Sequence, residues 1–266
     1  MAEQHCVGVF HGLRDPNKNL HPQFAVFTAV FAKHGGDFYL FTAAHCIRES
    51  RKAIESGLTS VQISLVIGAG DGERIFVPNF IANKSFVSIE LFDEKQGFDF
   101  ACINLDSVAV AKLEGSGMVP VEKYFCVRRD ESVEHHAVFG FPKTRNVSEF
   151  TEISGQTIVQ PEPMATLLKV PADRSGIPSD PVGPSIGSDP RFIAVVNEEM
   201  AKQVGMKGLS GGLMFGVDLE RRVMNGKEQV IARSRPIAIQ AKWWHQKYAA
   251  GNYLVDIFEK LAASKK

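Results

Sequence analysis

The chain has 266 residues, with 30 basic and 30 acidic side chains and a formal net charge of zero. This balance gives no support for a nucleic acid or an anionic membrane as partner. Hydrophobic residues make up 44% of the chain, and no segment approaches the roughly 18 consecutive apolar residues of a membrane span. We therefore expect a folded protein with no nucleic-acid and no membrane partner.

The N-terminal residues show no basic segment followed by a long apolar stretch, so we predict no signal peptide and a cytoplasmic location. Further along, apolar residues alternate with polar ones in short runs that end at turn residues. The Gly35-Gly36 pair lies between two such runs, 23–32 and 37–42, and predicts a hairpin. Other predicted strands are 60–66, 74–77, 100–105, 137–141, 165–170, 192–196, 212–215, 230–233 and 237–241. Many short strands with frequent turns are typical of a barrel or sandwich.

Three segments depart from this pattern. Residues 115–123 contain Gly-Ser-Gly and a proline, which predict a boundary between two units. Residues 161–190 hold seven of the thirteen prolines and predict a long exposed loop, which lies near the substrate cleft, forms a contact surface or is a tolerated surface insertion. The C-terminus predicts an amphipathic helix with Asn252 as N-cap. Its apolar face would comprise Leu254, Ile257, Phe258 and Leu261.

Two motifs and one carboxylate carry the chemistry. The block Thr42-Ala43-Ala44-His45-Cys46 is followed by Asp99 and then by Gly208-Leu209-Ser210-Gly211-Gly212. Each piece alone is more often a strand end, a cap or a tight turn. Together they supply a histidine, an aspartate and a serine, the side chains that acyl transfer by a serine nucleophile requires.

In this order and context the chain resembles the trypsin/chymotrypsin-like serine protease superfamily, and its bacterial branch in particular. Phe139-Gly140-Phe141-Pro142 is similar to a further landmark of bacterial members. The resemblance implies an all-β fold of two antiparallel Greek-key β-barrels with a C-terminal α-helix. Residues 1–118 would form the barrel that carries His45 and Asp99, and residues 119–266 the barrel that carries Ser210.

The resemblance also implies a serine endopeptidase that acts on a protein or peptide substrate through an acyl-enzyme. Ser210 would be the nucleophile, His45 the general base and Asp99 the group that orients the imidazole. The backbone N–H groups of Gly208 and Ser210 would form the oxyanion hole. No cofactor and no metal are implied, and the histidines outside this set are expected to have surface or packing roles because no zinc-site spacing is present. These are His135, His136 and His245.

The chain departs from the digestive members at Leu209, where they have an aspartate that pairs with a new N-terminus after cleavage. A leucine cannot accept this ion pair, so we expect restraint by narrow specificity, by a protein activator or by a conformational change. The upstream cysteine that secreted relatives pair with the one after the histidine is also missing. We therefore expect four free thiols and a reducing compartment.

Substrate preference is predicted from the residues that precede Ser210 and from a later strand. An apolar pocket floor would favour an uncharged or hydrophobic side chain, since it offers no anion to a buried cation. The predicted pocket residues are Val204, Met206, Lys207, Ala241 and Trp243.

Two other interpretations use the same residues. The motif at 208–212 also fits the nucleophile elbow of α/β-hydrolases, with Asp218 or Asp256 and His245 as partners. That elbow must follow an apolar parallel strand, and the polar residues 198–207 do not form one. The second alternative is a protease-like binding or regulatory module that needs a partner and holds its triad in an unproductive geometry.

Overall fold

The structure, a computed structural model, describes residues 2–17, 23–68, 74–129, 131–142, 150–153, 156–159, 163–180, 182–196, 209–224, 227–245 and 247–265. The first half contains the strands β1 (Cys6–Arg14), β2 (Gln23–His34), β3 (Asp37–Thr42), β4 (Thr59–Val66), β5 (Arg74–Val77), β6 (Val87–Asp93) and β7 (Phe98–Asn104) and the helices α1 (Ala44–Glu55) and α2 (Ser107–Gly115). The second half contains β8 (His135–Gly140), β9 (Phe150–Ile153), β10 (Gln156–Val159), β11 (Met164–Lys169), β12 (Phe192–Val196), β13 (Leu213–Met224), β14 (Lys227–Trp244), β15 (Tyr248–Tyr253) and the C-terminal helix α3 (Leu254–Ser264).

The first unit is a seven-stranded antiparallel sheet in the order β5-β4-β1-β2-β3-β7-β6. Its central hairpin, β2–β3, turns at Gly35 and Gly36, whose φ angles are 60° and 90°. Positive φ at both turn residues strains any side chain and suits glycine, so the predicted hairpin is confirmed. This sheet brings β3 next to β7, and both strands lead to the candidate site.

The second unit is a closed barrel in the order β11-β12-β15-β14-β13-β8, beside a separate two-stranded sheet of β9 and β10. Closure leaves no unpaired edge in the barrel. The expected all-β architecture with two antiparallel units and a C-terminal helix is confirmed.

One apolar cluster joins the two units, beside a separate cluster within each of them. Phe41 and Phe100 of the first unit, Phe141 and Leu213 of the second, and Phe258 of α3 are all buried in one cluster. The rings of Phe41 and Phe258 meet edge to face, with centroids 5.1 Å apart. Burial of aromatic surface on this scale is a strong stabilising contribution, so it fixes the two units against each other.

Several predicted elements need correction. Helices α1 and α2 were not predicted from the alternation pattern, and neither were β1 and β6. The predicted strands 230–233 and 237–241 are parts of the single strand β14, in which Pro236 lies beside a register shift against β13. A bulge is a position where a strand accommodates proline, and therefore Pro236 does not end the strand.

The predicted N-cap of α3 is also wrong. The capping position is Tyr253, with no side-chain hydrogen bond, and the Asn252 side chain instead bonds to Asp99 and Gly97. The proline-rich segment contains buried charged side chains and is not simply an exposed loop. The predicted domain boundary at 118/119 lies between α2 and β8 and stays a prediction. No helix in the described ranges is long and apolar enough to cross a membrane.

Candidate active site

His45 lies in the first turn of α1, just after β3, and Asp99 lies on the adjacent strand β7. One carboxylate oxygen of Asp99, Oδ2, is 2.6 Å from His45 Nδ1. The other, Oδ1, accepts a hydrogen bond of 2.9 Å from the backbone N–H of His45. Because Nδ1 donates to Asp99, the neutral imidazole presents Nε2 as its acceptor.

This pairing sets the charge state of His45. Burial lowers its pKa, but the hydrogen bonds to Asp99 and Cys46 and the charge of the Asp99 carboxylate raise it by more, so the net shift is upward. The side chains of His45 and Asp99 are 24% and 13% exposed. A largely buried carboxylate close to the ring therefore favours the imidazolium.

A third side chain anchors Asp99. Asn252 on β15 is buried, and its Oδ1 accepts a hydrogen bond of 3.0 Å from the backbone N–H of Asp99. Its Nδ2 donates to the carbonyl oxygen of Gly97 at 2.8 Å. Asn252 therefore ties the start of β7 to the closed barrel.

Ser210 lies in a tight turn that leads into β13, and this turn is held by backbone hydrogen bonds. Its carbonyl oxygen accepts from the N–H of Thr28 at 3.0 Å, and the N–H of Gly211 donates to the carbonyl of Gln240 at 2.8 Å. Gly211 has a φ of 85°, and a Cβ there would lie 1.9 Å from the Thr28 carbonyl oxygen. Only glycine fits at this position, because both the conformation and the contact exclude a side chain.

His45 and Ser210 line the same cleft, which has a volume of about 440 Å³. The remaining walls come from the first unit: Leu13, Ala25, Val26, Phe27, Cys46, Glu49, Ser50 and Ala53. His45 Nε2 has Cys46 Sγ at 3.6 Å. None of the hydrogen bonds of the described residues joins Nε2 to Ser210.

The other predicted site residues fall into two groups. Gly208 of the predicted oxyanion hole and the pocket residues Val204, Met206 and Lys207 lie outside the described residues. Ala241 is buried on β14. Trp243 packs against Met164 and against Leu209, the residue that precedes Ser210.

The residues of the α/β-hydrolase alternative are not brought together. Asp218 Oδ2 lies 3.9 Å from Arg235, and Asp256 pairs with Arg129. Among the described residues neither carboxylate has an ion pair or hydrogen bond with His245. Ser210 is followed by a strand, β13, that pairs antiparallel with β14 and β8, whereas the serine of a nucleophile elbow is followed by a helix.

Among the described residues, Cys46 is the one other histidine or cysteine that lines the cleft. His135 pairs with Glu134 at 3.4 Å, and the ring of His136 lies 5.6 Å from that of Phe192. All four cysteines are free and buried. No group of three or more His, Cys, Asp or Glu side chains within the described ranges is arranged to hold a metal ion.

Comparisons with known proteins bear on the fold. No protein-family model and no curated protein matches the chain. Among solved structures, a thermostable serine protease AL20 from an extremophilic microorganism aligns over 100% of both chains, with a TM-score of 0.50 and 12% sequence identity. The fold is the chymotrypsin-like double β-barrel. In this fold the candidate site lies where the two units meet, with His45 and Asp99 on one side and Ser210 on the other.

Sequence reasoning did not find Asn252 or Thr28 as residues of the site. Thr28 holds the Ser210 turn through its N–H, and its Oγ1 accepts from the N–H of Phe141 at 2.8 Å. Both residues act through contacts between distant strands, and neither belongs to a local motif. Their roles can be assigned only when the arrangement of β2, β7 and β15 is known.

Proposed function

We propose that this protein is a serine endopeptidase that cleaves peptide bonds through an acyl-enzyme formed on Ser210. The observation that carries the proposal has two parts. His45 Nδ1 lies 2.6 Å from Asp99 Oδ2, and His45 lines the same cleft as Ser210. A solved serine protease of the same fold supports the reaction class.

In the proposed reaction Ser210 Oγ attacks the carbonyl carbon of the scissile peptide while His45 Nε2 takes the hydroxyl proton. Asp99 holds the imidazole with Nε2 toward the cleft and stabilises the imidazolium. The N–H groups of Gly208 and Ser210 are proposed to bind the oxyanion. His45 then gives the proton to the leaving amine, the C–N bond breaks, and a water molecule hydrolyses the ester by the same steps.

A second candidate, a protease-like module that needs a partner to become active, is favoured by the contact at Nε2. Cys46 Sγ lies 3.6 Å from this nitrogen, and a productive site needs Nε2 to accept from Ser210. Catalytic hydrogen bonds are often long without substrate and shorten in the complex. The contact with Cys46 therefore favours a site that is inactive alone and becomes active when substrate or a partner binds.

We further propose that control of the site does not use N-terminal insertion. Leu209, which precedes the nucleophile, is fully buried and packs against Met164 and Trp243. An ammonium group has no counter-ion in such surroundings. A protein activator in the cytoplasm, where free thiols persist, is the proposed alternative means of control.

The test is covalent labelling by a fluorophosphonate probe, with the adduct located by mass spectrometry. We expect the wild type to be labelled at Ser210 and the variants Ser210→Ala and His45→Ala to remain unlabelled. Failure to label the isolated protein, with labelling restored by a cell extract, would identify the partner-dependent module. Failure under both conditions would reject the endopeptidase.

A further inference from the structure

The cleft beside Ser210 has one wall that belongs to a single face of α1. Cys46, Glu49, Ser50 and Ala53 follow one another at helical spacing and all line the cleft. The opposite wall is apolar and is formed by β1 and β2 residues: Leu13, Ala25, Val26 and Phe27. The cleft therefore offers an apolar surface across from a helix face with polar groups.

The chemistry of the proposed reaction decides which part of a substrate occupies this cleft. The acyl part stays attached to Ser210, while the leaving amine must lie next to His45 Nε2 to receive its proton. Apart from Ser210, every wall of the cleft comes from the unit that carries His45. The segment that follows the scissile bond is therefore the part that lies along α1.

Ser50 provides evidence that this cleft binds something. Its side chain is only 2% exposed, and its Oγ has no hydrogen-bond partner. A buried hydroxyl without a partner is costly, and native proteins rarely retain one without a reason. Ser50 lines the cleft, and a rotation about its Cα–Cβ bond would bring Oγ to the cleft surface, where a backbone N–H or carbonyl of a bound peptide would satisfy it.

Glu49 provides the charge. It is exposed at the edge of the cleft, and no ion pair is formed by it within the described part of the chain. Two neighbouring cations of α1 are directed elsewhere, since Arg51 pairs with Glu90 and the guanidinium of Arg48 lies 4.6 Å from the ring of Phe92. Among the described residues the third cation, Lys52, forms no ion pair with Glu49. The other ionisable groups that line the cleft are His45 and Cys46.

We infer that this cleft binds the leaving-group segment of a peptide substrate that carries an apolar side chain and a neighbouring lysine or arginine. The apolar side chain packs on the β1–β2 wall, the cation pairs with Glu49, and Ser50 Oγ bonds to the peptide backbone. This inference rests on the proposed endopeptidase function and names its substrate class.

The first test uses fluorogenic peptides that share one acyl part and carry Lys, Gln or Glu on the leaving-group side. We expect kcat/KM to be about two- to fivefold higher for Lys than for Gln, the size of an exposed ion pair, and lowest for Glu. In Glu49→Gln this order should disappear. Glu55→Gln is the matched control, because Glu55 is exposed on the same helix but does not line the cleft. Equal rates for Lys and Glu in the wild type, or a preference that persists in Glu49→Gln, overturns the inference.

A second variant separates ligand binding from folding. In Ser50→Ala we expect the melting temperature to stay the same or rise, since a buried hydroxyl without a partner is removed and alanine favours the helix. The value of kcat/KM should nevertheless fall about two- to tenfold, because the bond to the peptide is lost. A lower melting temperature with unchanged kcat/KM assigns Ser50 a structural role and contradicts the inference.

Binding without turnover keeps the two proposals distinguishable. The Ser210→Ala protein is titrated by NMR with dipeptide amides that have a free N-terminus and the sequence Leu-Lys or Leu-Glu. Tighter binding of Leu-Lys that is lost in the double variant with Glu49→Gln supports the site, even if no fluorophosphonate labelling occurs and the endopeptidase is rejected. Equal binding of the two dipeptides in a protein that is labelled at Ser210 rejects the site and leaves the endopeptidase standing.

Discussion

The side chain of Asn252 accepts a hydrogen bond of 3.0 Å from the backbone N–H of Asp99, which joins β15 of the closed barrel to β7 of the first sheet. In the barrel, Asn252 pairs in register with Ile239, and Ile239 pairs with Leu213 at the start of β13. These pairings connect Asn252 on β15, through β14, to β13, the strand that follows the Ser210 turn. Asn252 therefore sets the position of Asp99 relative to Ser210.

We expect Asn252→Ala to destabilise the protein by about 2–4 kcal/mol, because the N–H of Asp99 and the carbonyl of Gly97 lose their buried partner. The rate of fluorophosphonate labelling should fall at least about tenfold, since small displacements of a base are costly. Urea unfolding and labelling kinetics measure the two effects. Asn83→Ala is the control, because Asn83 caps a surface turn at Ser85 and its loss should cost about 1 kcal/mol without changing labelling.

The raised pKa of His45 predicts the pH dependence of the proposed reaction. Only the neutral imidazole accepts the proton of Ser210, so kcat/KM should rise with pH through a midpoint above 6.5, the ordinary value for histidine. In Asp99→Asn the main cause of the upward shift is removed, so the rate should fall by about 10⁴ and any residual acid limb should move to lower pH. Measurement of kcat/KM from pH 5 to 10 tests both statements.

The same pKa has a consequence for stability. A group whose pKa is higher in the folded than in the unfolded state contributes stability that is fully present below the unfolded pKa and is lost as pH rises through the folded pKa. The contribution of His45 should thus be largest below about pH 6.5 and absent in His45→Gln. A free energy of unfolding with the same slope against pH in both proteins, between pH 6 and 10, would contradict the shift.

Cys46 lies next to His45 Nε2, the nitrogen that would take the proton of Ser210 in the proposed reaction. Its Sγ lies 3.6 Å from Nε2, and this contact is one of the causes that favour the imidazolium. We expect Cys46→Ala to free Nε2 and to increase the rate of Ser210 labelling about two- to tenfold, the range of one ordinary hydrogen bond. Cys102→Ala, which removes another buried thiol outside the cleft, is the control. Slower labelling in Cys46→Ala alone would show that the thiol supports the site.

Gly211 has the strictest backbone requirement in the Ser210 turn. In Gly211→Ala the new methyl group would lie 1.9 Å from the Thr28 carbonyl oxygen and 2.3 Å from Thr42 Oγ1, so the turn must move. We expect a loss of at least about 3 kcal/mol in unfolding free energy and no labelling of Ser210. Gly57→Ala is the matched control. Its φ is 105° but nothing lies near the added carbon, so only the cost of the backbone conformation, about 1–2 kcal/mol, is expected.

Local sequence patterns predicted much of the sheet structure and the members of the candidate triad. Gly35-Gly36 marked its hairpin correctly, because a two-residue turn with positive φ depends on adjacent residues alone. Helix α1 was not predicted, since its N-terminal residues belong to the same motif that suggested a strand end. Asn252 was interpreted as a local cap, whereas its partners are Asp99 and Gly97, more than 150 positions away in the chain. Contacts of this kind depend on strand order, which a single sequence does not specify.

The proline-rich segment shows the same limit, and it supplies a last prediction. Proline content predicted an exposed loop, yet Asp180 and Asp189 are buried within it. The guanidinium of Arg191, the buried residue directly after the segment, donates to both carboxylates. A Cβ on Gly97 would lie 3.3 Å from Arg191 Nε, so this buried network contacts the turn that precedes Asp99.

We expect Arg191→Leu to destabilise the protein by about 3–5 kcal/mol, because Asp189 remains buried without its cation and Asp180 keeps only Lys242. Labelling of Ser210 should also slow, since the turn at Gly97 loses a packing partner next to Asp99. Arg222→Leu is the control for charge, because Arg222 forms an exposed ion pair with Glu220 that should contribute little to stability. If Arg191→Leu unfolds at the same urea concentration as the wild type, the buried pairs do not stabilise the folded state. If it is destabilised but is labelled at the wild-type rate, the segment supports the fold and does not position Asp99.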